Sequence, residues 1–298
     1  MKIGFIGCVQ SSYKALETLL CLKNEGIEVV AVITKPKSAI NSDFVDLTPL
    51  CKKNDIPFHY EVSKERQDSL AFLQQHKPDV IYCFGWSYLL DKDMLELAPC
   101  GAIGYHPAPL PQGRGRHPII WALSLGLNKT ASTFFLMDEG ADSGPILEQQ
   151  IVTIEPEDDA RSLYDKLLII ASEQILDFSR ALAKGEAVFH PQDDSQATYW
   201  RKRSRKDGLI DWRMQADSIH NLVRALVSPY PGAEFIYNEK PFVLLKTSLT
   251  DEAFSKLIEP GCILQVDINK FLIKCGGSSA LWVHEQQLAK NIKTGDYL

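Results

Sequence analysis

Glu28-Val29-Val30-Ala31-Val32-Ile33-Thr34 is β-branched and almost continuously apolar, the pattern of a strand covered on both faces rather than one wetted on alternate residues. Pro36 ends it. Upstream, Ile3 to Ile6 reads as a second short buried strand, and Ser11 or Ser12 is placed to cap a helix carrying Leu16, Leu19, Leu20 and Leu22. Downstream, helix patterns around Leu47 to Asn54 and Glu65 to Gln75 lead to a strand from Asp79 to Phe84. This alternation predicts an α/β fold, a mainly parallel sheet with helices on both faces and right-handed crossovers.

Further along, Ala131 to Met137 is an apolar strand, and Asp158 to Lys184 has a helical apolar period that stops at Gly185. Pro191 to Lys206 is polar and without period, which reads as a linker. Beyond it a helix is expected from about Gln215 to Val227. Strands are expected at Ala233–Tyr237, Phe242–Thr247, Cys262–Val266, Phe271–Lys274 and Ala280–His284. Short strands with tight turns suggest a small C-terminal barrel. The expected domains are therefore residues 1–200 and 201–298.

The chain has 298 residues, 45% of them hydrophobic and 23% charged, which suits a folded globular protein with a real core. Its formal charge is −6, and the pI is about 5.7. Bulk electrostatics therefore disfavour a nucleic-acid partner, whose binding leans on phosphate neutralisation. The run Arg201-Lys-Arg-Ser-Arg-Lys206 is the one strongly basic patch, readable either as a phosphate contact or as a solvated linker face. No apolar stretch is long enough to span a bilayer and the start does not resemble a signal peptide, so a cytoplasmic location is expected. The cysteines, at 8, 21, 51, 83, 100, 262 and 275, form no CxxC pair and are odd in number. They are expected to be buried thiols, not disulfides or zinc ligands.

In parallel sheets functional groups gather outside the carboxyl ends of the strands. Three segments fall there: Gly7 to Ser12, Gly85 to Leu90, and the chain after Tyr105. The first completes neither GxGxxG nor GxxxxGK[ST], which disfavours a dinucleotide or NTP. The third, His106-Pro-Ala-Pro-Leu-Pro-Gln-Gly-Arg114-Gly-Arg116-His117-Pro118, is rich in proline and glycine, so a histidine sits in a long but restricted loop. A covering loop with a hydrogen-bonded histidine fits that composition equally well. The acidic segment Asp138-Glu-Gly-Ala-Asp142-Ser-Gly144 again follows a strand. A His and an Asp at neighbouring strand ends can form a base–carboxylate pair, whereas Asp142 alone would read as a turn residue.

These motifs, with Ile119-Ile-Trp121 and Pro145-Ile-Leu147 following them, resemble the N10-formyltetrahydrofolate-dependent formyltransferase family. Pro78-Asp-Val-Ile-Tyr-Cys-Phe-Gly-Trp86-Ser87-Tyr88 is similar to that family's folate-binding strand and loop. Leu209-Ile-Asp211-Trp212, His220-Asn-Leu-Val-Arg224 and Pro229-Tyr-Pro231-Gly232 resemble the start of its C-terminal barrel. The resemblance implies a Rossmann-like catalytic domain joined to an OB-like barrel, with His106 and Asp142 catalytic. It implies N10-formyltetrahydrofolate as co-substrate, held near Trp86, Ser87, Tyr88, Asp138 and Asp142, and no metal. Large aromatics such as Trp86 and Tyr88 are also common in partly exposed packing. Arg114, Arg116 and His117 are the expected acceptor-binding residues, with solvated loop charge the bland reading.

The family's catalytic Asn falls at Gly104 in this sequence. Loss of one oxyanion donor typically costs about 10²–10³ in rate. Protonated His106, His117, an ordered water or a main-chain N–H would replace it; the remaining reading is a folate-binding protein without catalysis. The segment Arg114 to Trp121 is most similar to sugar-nucleotide formyltransferases, with a weaker likeness to the pseudaminic-acid type. The expected acceptor is thus the primary amine of a nucleotide-linked amino sugar, with methionyl-tRNA the second choice. A serine hydrolase is disfavoured because no GxSxG is present. An apolar barrel surface would support a homodimer.

Overall fold

The structure, a computed structural model, describes residues 1–39, 41–62 and 67–298. The chain divides into two compact units. The first comprises Met1–Pro118, Thr130–Val152 and Asp165–Trp200; the second comprises Ile119–Lys129, Thr153–Tyr164 and Arg201–Leu298. The second unit thus contains two short segments, Ile119–Lys129 and Thr153–Tyr164, that the sequence analysis placed within residues 1–200.

The apolar runs of the N-terminal part form strands β1 (Lys2–Ile6), β2 (Glu28–Thr34), β3 (Phe58–Tyr60), β4 (Val80–Cys83) and β5 (Ala102–His106). Between them lie helices α1 (Gln10–Leu20), α2 (Thr48–Lys53), α3 (Gln67–His76) and α4 (Lys92–Leu95). Of the helix expected from Glu65, the first two residues lie outside the described residues. After β5 come β6 (Arg114–Gly115), α5 (Pro118–Ser124), β7 (Lys129–Leu136), β8 (Ile146–Thr153), α6 (Ala160–Lys184) and β9 (Tyr199–Trp200). The main sheet has the order β3-β2-β1-β4-β5-β7-β8, parallel from β3 to β5. Its two faces separate by alternation. Ile3, Phe5, Val80, Tyr82, Phe84 and Ile103 pack against α1 and α6, while Ile6, Ile81, Cys83 and Ala102 pack against α3 and α4.

Three expectations are corrected. Helix α1 begins at Gln10, so Ser12 lies inside its first turn. There its hydroxyl accepts the Cys8 and Val9 N–H groups and donates to Phe84 O at 2.6 Å, joining β1 to β4. The Pro191–Lys206 segment is more than a linker, because β9 within it pairs in parallel with β6. The cysteines divide: Cys8, Cys51, Cys83 and Cys275 are buried, whereas Cys21 and Cys100 are exposed. Burial pushes the Cys8 thiol up to about 11 and those of Cys51 and Cys275 up to about 12.

The second unit carries α7 (Ala216–Leu226), whose buried stripe is Ile219, Leu222, Val223 and Leu226. Its antiparallel strands are β10 (Ala233–Tyr237), β11 (Lys240–Leu244), β12 (Thr247–Leu249), β13 (Ile263–Val266), β14 (Phe271–Lys274) and β15 (Ala280–Val283), followed by α8 (Gln286–Ala289). They form a pair, β10-β11, and a four-stranded sheet, β12-β15-β14-β13. The strand expected at Phe242–Thr247 is two strands, because Leu245 and Lys246 are both exposed and break the alternation. Lys274 is fully buried, and its ammonium donates to the carbonyls of Cys275 and Gly277, both at 2.6 Å. No helix among the described residues is long and apolar enough to cross a membrane.

Candidate active site

His106 ends β5 on the face opposite Tyr105 and is only 5% exposed. Its Nε2 lies 2.8 Å from the Gly113 carbonyl oxygen. A carbonyl only accepts, so Nε2 carries hydrogen and donates, which leaves Nδ1 as the nitrogen that gains or loses a proton. Asp142 Oδ2 stands 3.5 Å from that Nδ1 and accepts the Gly115 N–H at 2.8 Å. The two residues expected to pair are therefore brought together.

The route is not the expected one. β7 runs antiparallel to β5, with Leu136 opposite Ile103 and Thr133 opposite His106. The carboxyl ends of these strands thus point in opposite directions, and the loop after Leu136 doubles back to deliver Asp142. Gly144 permits the fold-back, since a Cβ there would meet Leu136 O at 1.8 Å. Asp138 is exposed, and its Oδ1 accepts from the Gly140 N–H and the Ser143 hydroxyl, shaping the same loop. Asp142 itself holds a left-handed backbone, φ 55°.

Gly113 and Gly115 belong to the segment that pairs β6 with β9. The Arg114 N–H donates to Thr198 O and the Arg116 N–H to Trp200 O. Gly115 has φ 112°, and a Cβ there would lie 2.3 Å from Trp200 O, so glycine is required for the main chain to reach Asp142. Arg114, expected to bind an acceptor anion, is 2% exposed. Its guanidinium donates to Gln192 Oε1 at 2.8 and 3.1 Å, Asp194 Oδ1 at 2.7 Å and Tyr199 OH at 3.0 Å. That engagement within the protein replaces the expected one.

Arg116 is half-buried and donates to Ser87 O at 3.2 Å, tying this segment to the 86–88 loop. Ser87 Oγ donates to Asn41 Oδ1, and the Lys35 ammonium lies 4.7 Å from the Trp86 ring centroid and 4.1 Å from that of Tyr88. Such cation–π contacts contribute about 0.5–1 kcal/mol each at exposed sites. Trp86 Nε1 is buried without a hydrogen-bond partner among the described residues. His117 is half-buried with φ 57°. At Gly104, a Cβ would meet Phe135 Cζ at 2.8 Å and Met137 Cγ at 2.9 Å, so apolar side chains fill the place of an amide.

Sequence reasoning missed Gly113, Gly115, Gln192, Asn41 and Lys35. The glycines act through main-chain atoms, which leave no side-chain signature, and Gln192 lies in a stretch with no period.

In the second unit the basic run is folded onto its own surroundings. Arg201 and Arg203 lie over the Trp121 ring at 5.5 and 4.6 Å. Arg201 also pairs with Asp207, Arg203 donates to Asp207 O, and Arg205 pairs with Glu234. Asp207 is held well below the usual carboxylate range, first by the Arg201 hydrogen bond and then by the Ser204 N–H.

Residues 1–177 match the family described as formyl transferase, and residues 202–297 match the formyl transferase C-terminal domain. The chain belongs to the formyl transferase family. The methionyl-tRNA formyltransferase of Geobacter sulfurreducens is 30% identical to this formyltransferase over 304 residues, spanning 100% of this chain and 93% of that protein. Among solved structures, the N-formyltransferase of Helicobacter canadensis, in complex with folinic acid and dTDP-3-aminofucose, superposes with a TM-score of 0.72 at 18% identity. It covers 95% of this chain and 99% of its own. WlaRD, a sugar 3N-formyl transferase, gives 0.70 at 18% identity over 95% of this chain and 97% of its own. Both likenesses concern the formyltransferase fold.

Proposed function

We propose that this formyltransferase moves a formyl group from N10-formyltetrahydrofolate to the primary amine of a nucleotide-linked amino sugar, with His106 and Asp142 as the catalytic pair. The observation that carries this reading is the paired geometry: Nε2 of His106 fixed on the Gly113 carbonyl, and Nδ1 facing the Asp142 carboxylate. The folate fits the residues present, because the buried Trp86 Nε1 is a donor without a partner among the described residues and the Ser87 carbonyl beside it is held by Arg116. The folate supplies an activated formyl carbon.

The attacking amine loses one proton and the departing N10 gains one, so a shuttle is required. His106 Nδ1 takes the proton while Asp142, fixed by the Gly115 N–H, stabilises the imidazolium. With Gly104 in place of an amide, we assign the electrostatic stabilisation of the developing oxyanion to the protonated His106. Gly104 sits between β4 and β7, so its own N–H lies in the sheet plane and not in the site.

The sugar reading is supported by the charge of −6 and by the ion pairing of Arg201 with Asp207 and of Arg205 with Glu234, which offsets part of the charge of the exposed basic run. The two sugar-acting fold neighbours support it as well. Methionyl-tRNA is the second reading, favoured by the 30% identity over the whole chain. Incubation with N10-formyltetrahydrofolate and either dTDP-3-aminofucose plus a panel of other nucleotide-linked amino sugars, or methionyl-tRNA, decides between them by mass. A formyl gain on a sugar nucleotide is expected. Formylation of the tRNA alone overturns the acceptor, and folate binding with no turnover on any acceptor overturns the catalytic reading.

A further inference from the structure

The Gln192 side chain is engaged at both ends. Its Oε1 accepts from Arg114 Nε at 3.1 Å and Nη2 at 2.8 Å, and its Nε2 donates to the carbonyls of Asp142 at 2.9 Å and Gly144 at 2.6 Å. A primary amide offers one acceptor end and one two-hydrogen donor end, and here each meets groups of the complementary kind. The arginine is nearly inaccessible and is pinned in turn by Asp194 and Tyr199, so the orientation of the amide is imposed from below.

The two carbonyls that Gln192 gathers flank the turn carrying the carboxylate. Asp142 has φ 55°, a region that a non-glycine residue holds only where its surroundings over-determine it. Gathering the carbonyls of Asp142 and Gly144 onto one donor supplies that determination, and the direction of the turn sets where Oδ2 points. The Gly115 N–H alone does not do so, because it binds the end of the side chain and leaves the backbone unrestrained.

We propose that Gln192 is a positioning residue for Asp142: held by Arg114, it fixes the left-handed turn that brings the carboxylate to His106. Arg114 then serves the carboxylate through Gln192 instead of an acceptor anion. The inference rests on the His106–Asp142 pairing, and its test reads that pairing directly without any acceptor.

The experiment is ¹⁵N NMR of the imidazole nitrogens in protein labelled at its seven histidines, with His106 assigned by its loss in His106→Gln. Asp142→Asn displaces the His106 Nδ1 signal. Gln192→Met is expected to displace the same signal in the same direction by at least half as much, with His59, His76, His220 and His284, remote from Gln192 in the sequence, unmoved. Gln192→Glu retains an acceptor for Arg114 but turns an oxygen toward the two carbonyls, and the same displacement is expected; it stands in if the methionine variant does not fold. A His106 signal unchanged in the folded Gln192 variants, while Asp142→Asn moves it, overturns the proposal. A signal unmoved by Asp142→Asn overturns the pairing itself.

Discussion

Asp142 Oδ2 is shared between the Nδ1 face of His106, 3.5 Å away, and the main-chain N–H of Gly115, 2.8 Å away. The amide N–H anchors the oxygen beside the imidazole. Replacing the carboxylate by an amide keeps the shape and removes the charge, so Asp142→Asn should lower single-turnover formyl transfer by about 10²–10⁴-fold, with His106→Ala in the same range. Acceptor affinity should change little in either. Near-normal single-turnover rates in a folded variant would remove the residue from the catalytic pair.

Gly104 is a packing position as well as the place of a missing amide. Gly104→Asn puts a side chain against Phe135, which is buried, and Met137. Overpacking of this kind costs about 1–3 kcal/mol, so the urea midpoint should fall and turnover should not rise. A variant as stable as the parent, with faster transfer, would refute both parts.

Glu148 is raised above its ordinary value of 4.5, first by burial and second by Asp177, with the Gln174 hydrogen bond acting against them. For a raised carboxyl the contribution to stability is complete below the unfolded value and is lost as pH rises through the folded one. Glu148→Gln should therefore raise the melting temperature at pH 7, and the gain should vanish below about pH 4. Melting curves from pH 4 to 8 measure this, and a gain that is constant over the range would contradict the assignment.

In the second unit, Lys274→Ala removes the only donor seen on the buried Cys275 carbonyl among the described residues. An unsatisfied buried acceptor costs about 1–3 kcal/mol, and the lost aliphatic stem adds to it. Denaturant unfolding followed by Trp282, on the neighbouring strand β15, should show the loss. Unchanged stability would mean that water satisfies the carbonyl.

The fold was legible because β2 carries a run of β-branched residues that only a doubly covered strand explains, and because helix patterns alternate with such runs. His106 and Asp142 were legible from their motifs. The direction of β7 was not, since an apolar strand looks alike in either orientation; hence the two strand ends were expected together and the loop that turns back was not foreseen. The role of Arg114 was misread for a related reason. An arginine in a glycine-rich loop looks solvated until the Gln192–Tyr199 segment, itself without period, is folded over it. Gly113 and Gly115 contribute a carbonyl and an N–H that every residue type possesses.

β6 and β9 together make a two-stranded sheet; the Gly115 N–H that meets Asp142 belongs to β6, and the Gly113 carbonyl that meets His106 directly precedes it. During translation the seven strands of the main sheet emerge well before Trp200. β9 is thus the last strand of the first unit to be synthesised, and the main-chain groups of Gly113 and Gly115 that meet His106 and Asp142 lie beside the strand it pairs with. A protease nick between 192 and 198 should loosen β9 from β6 and lower formyl transfer while the seven-stranded sheet, which includes neither strand, stands.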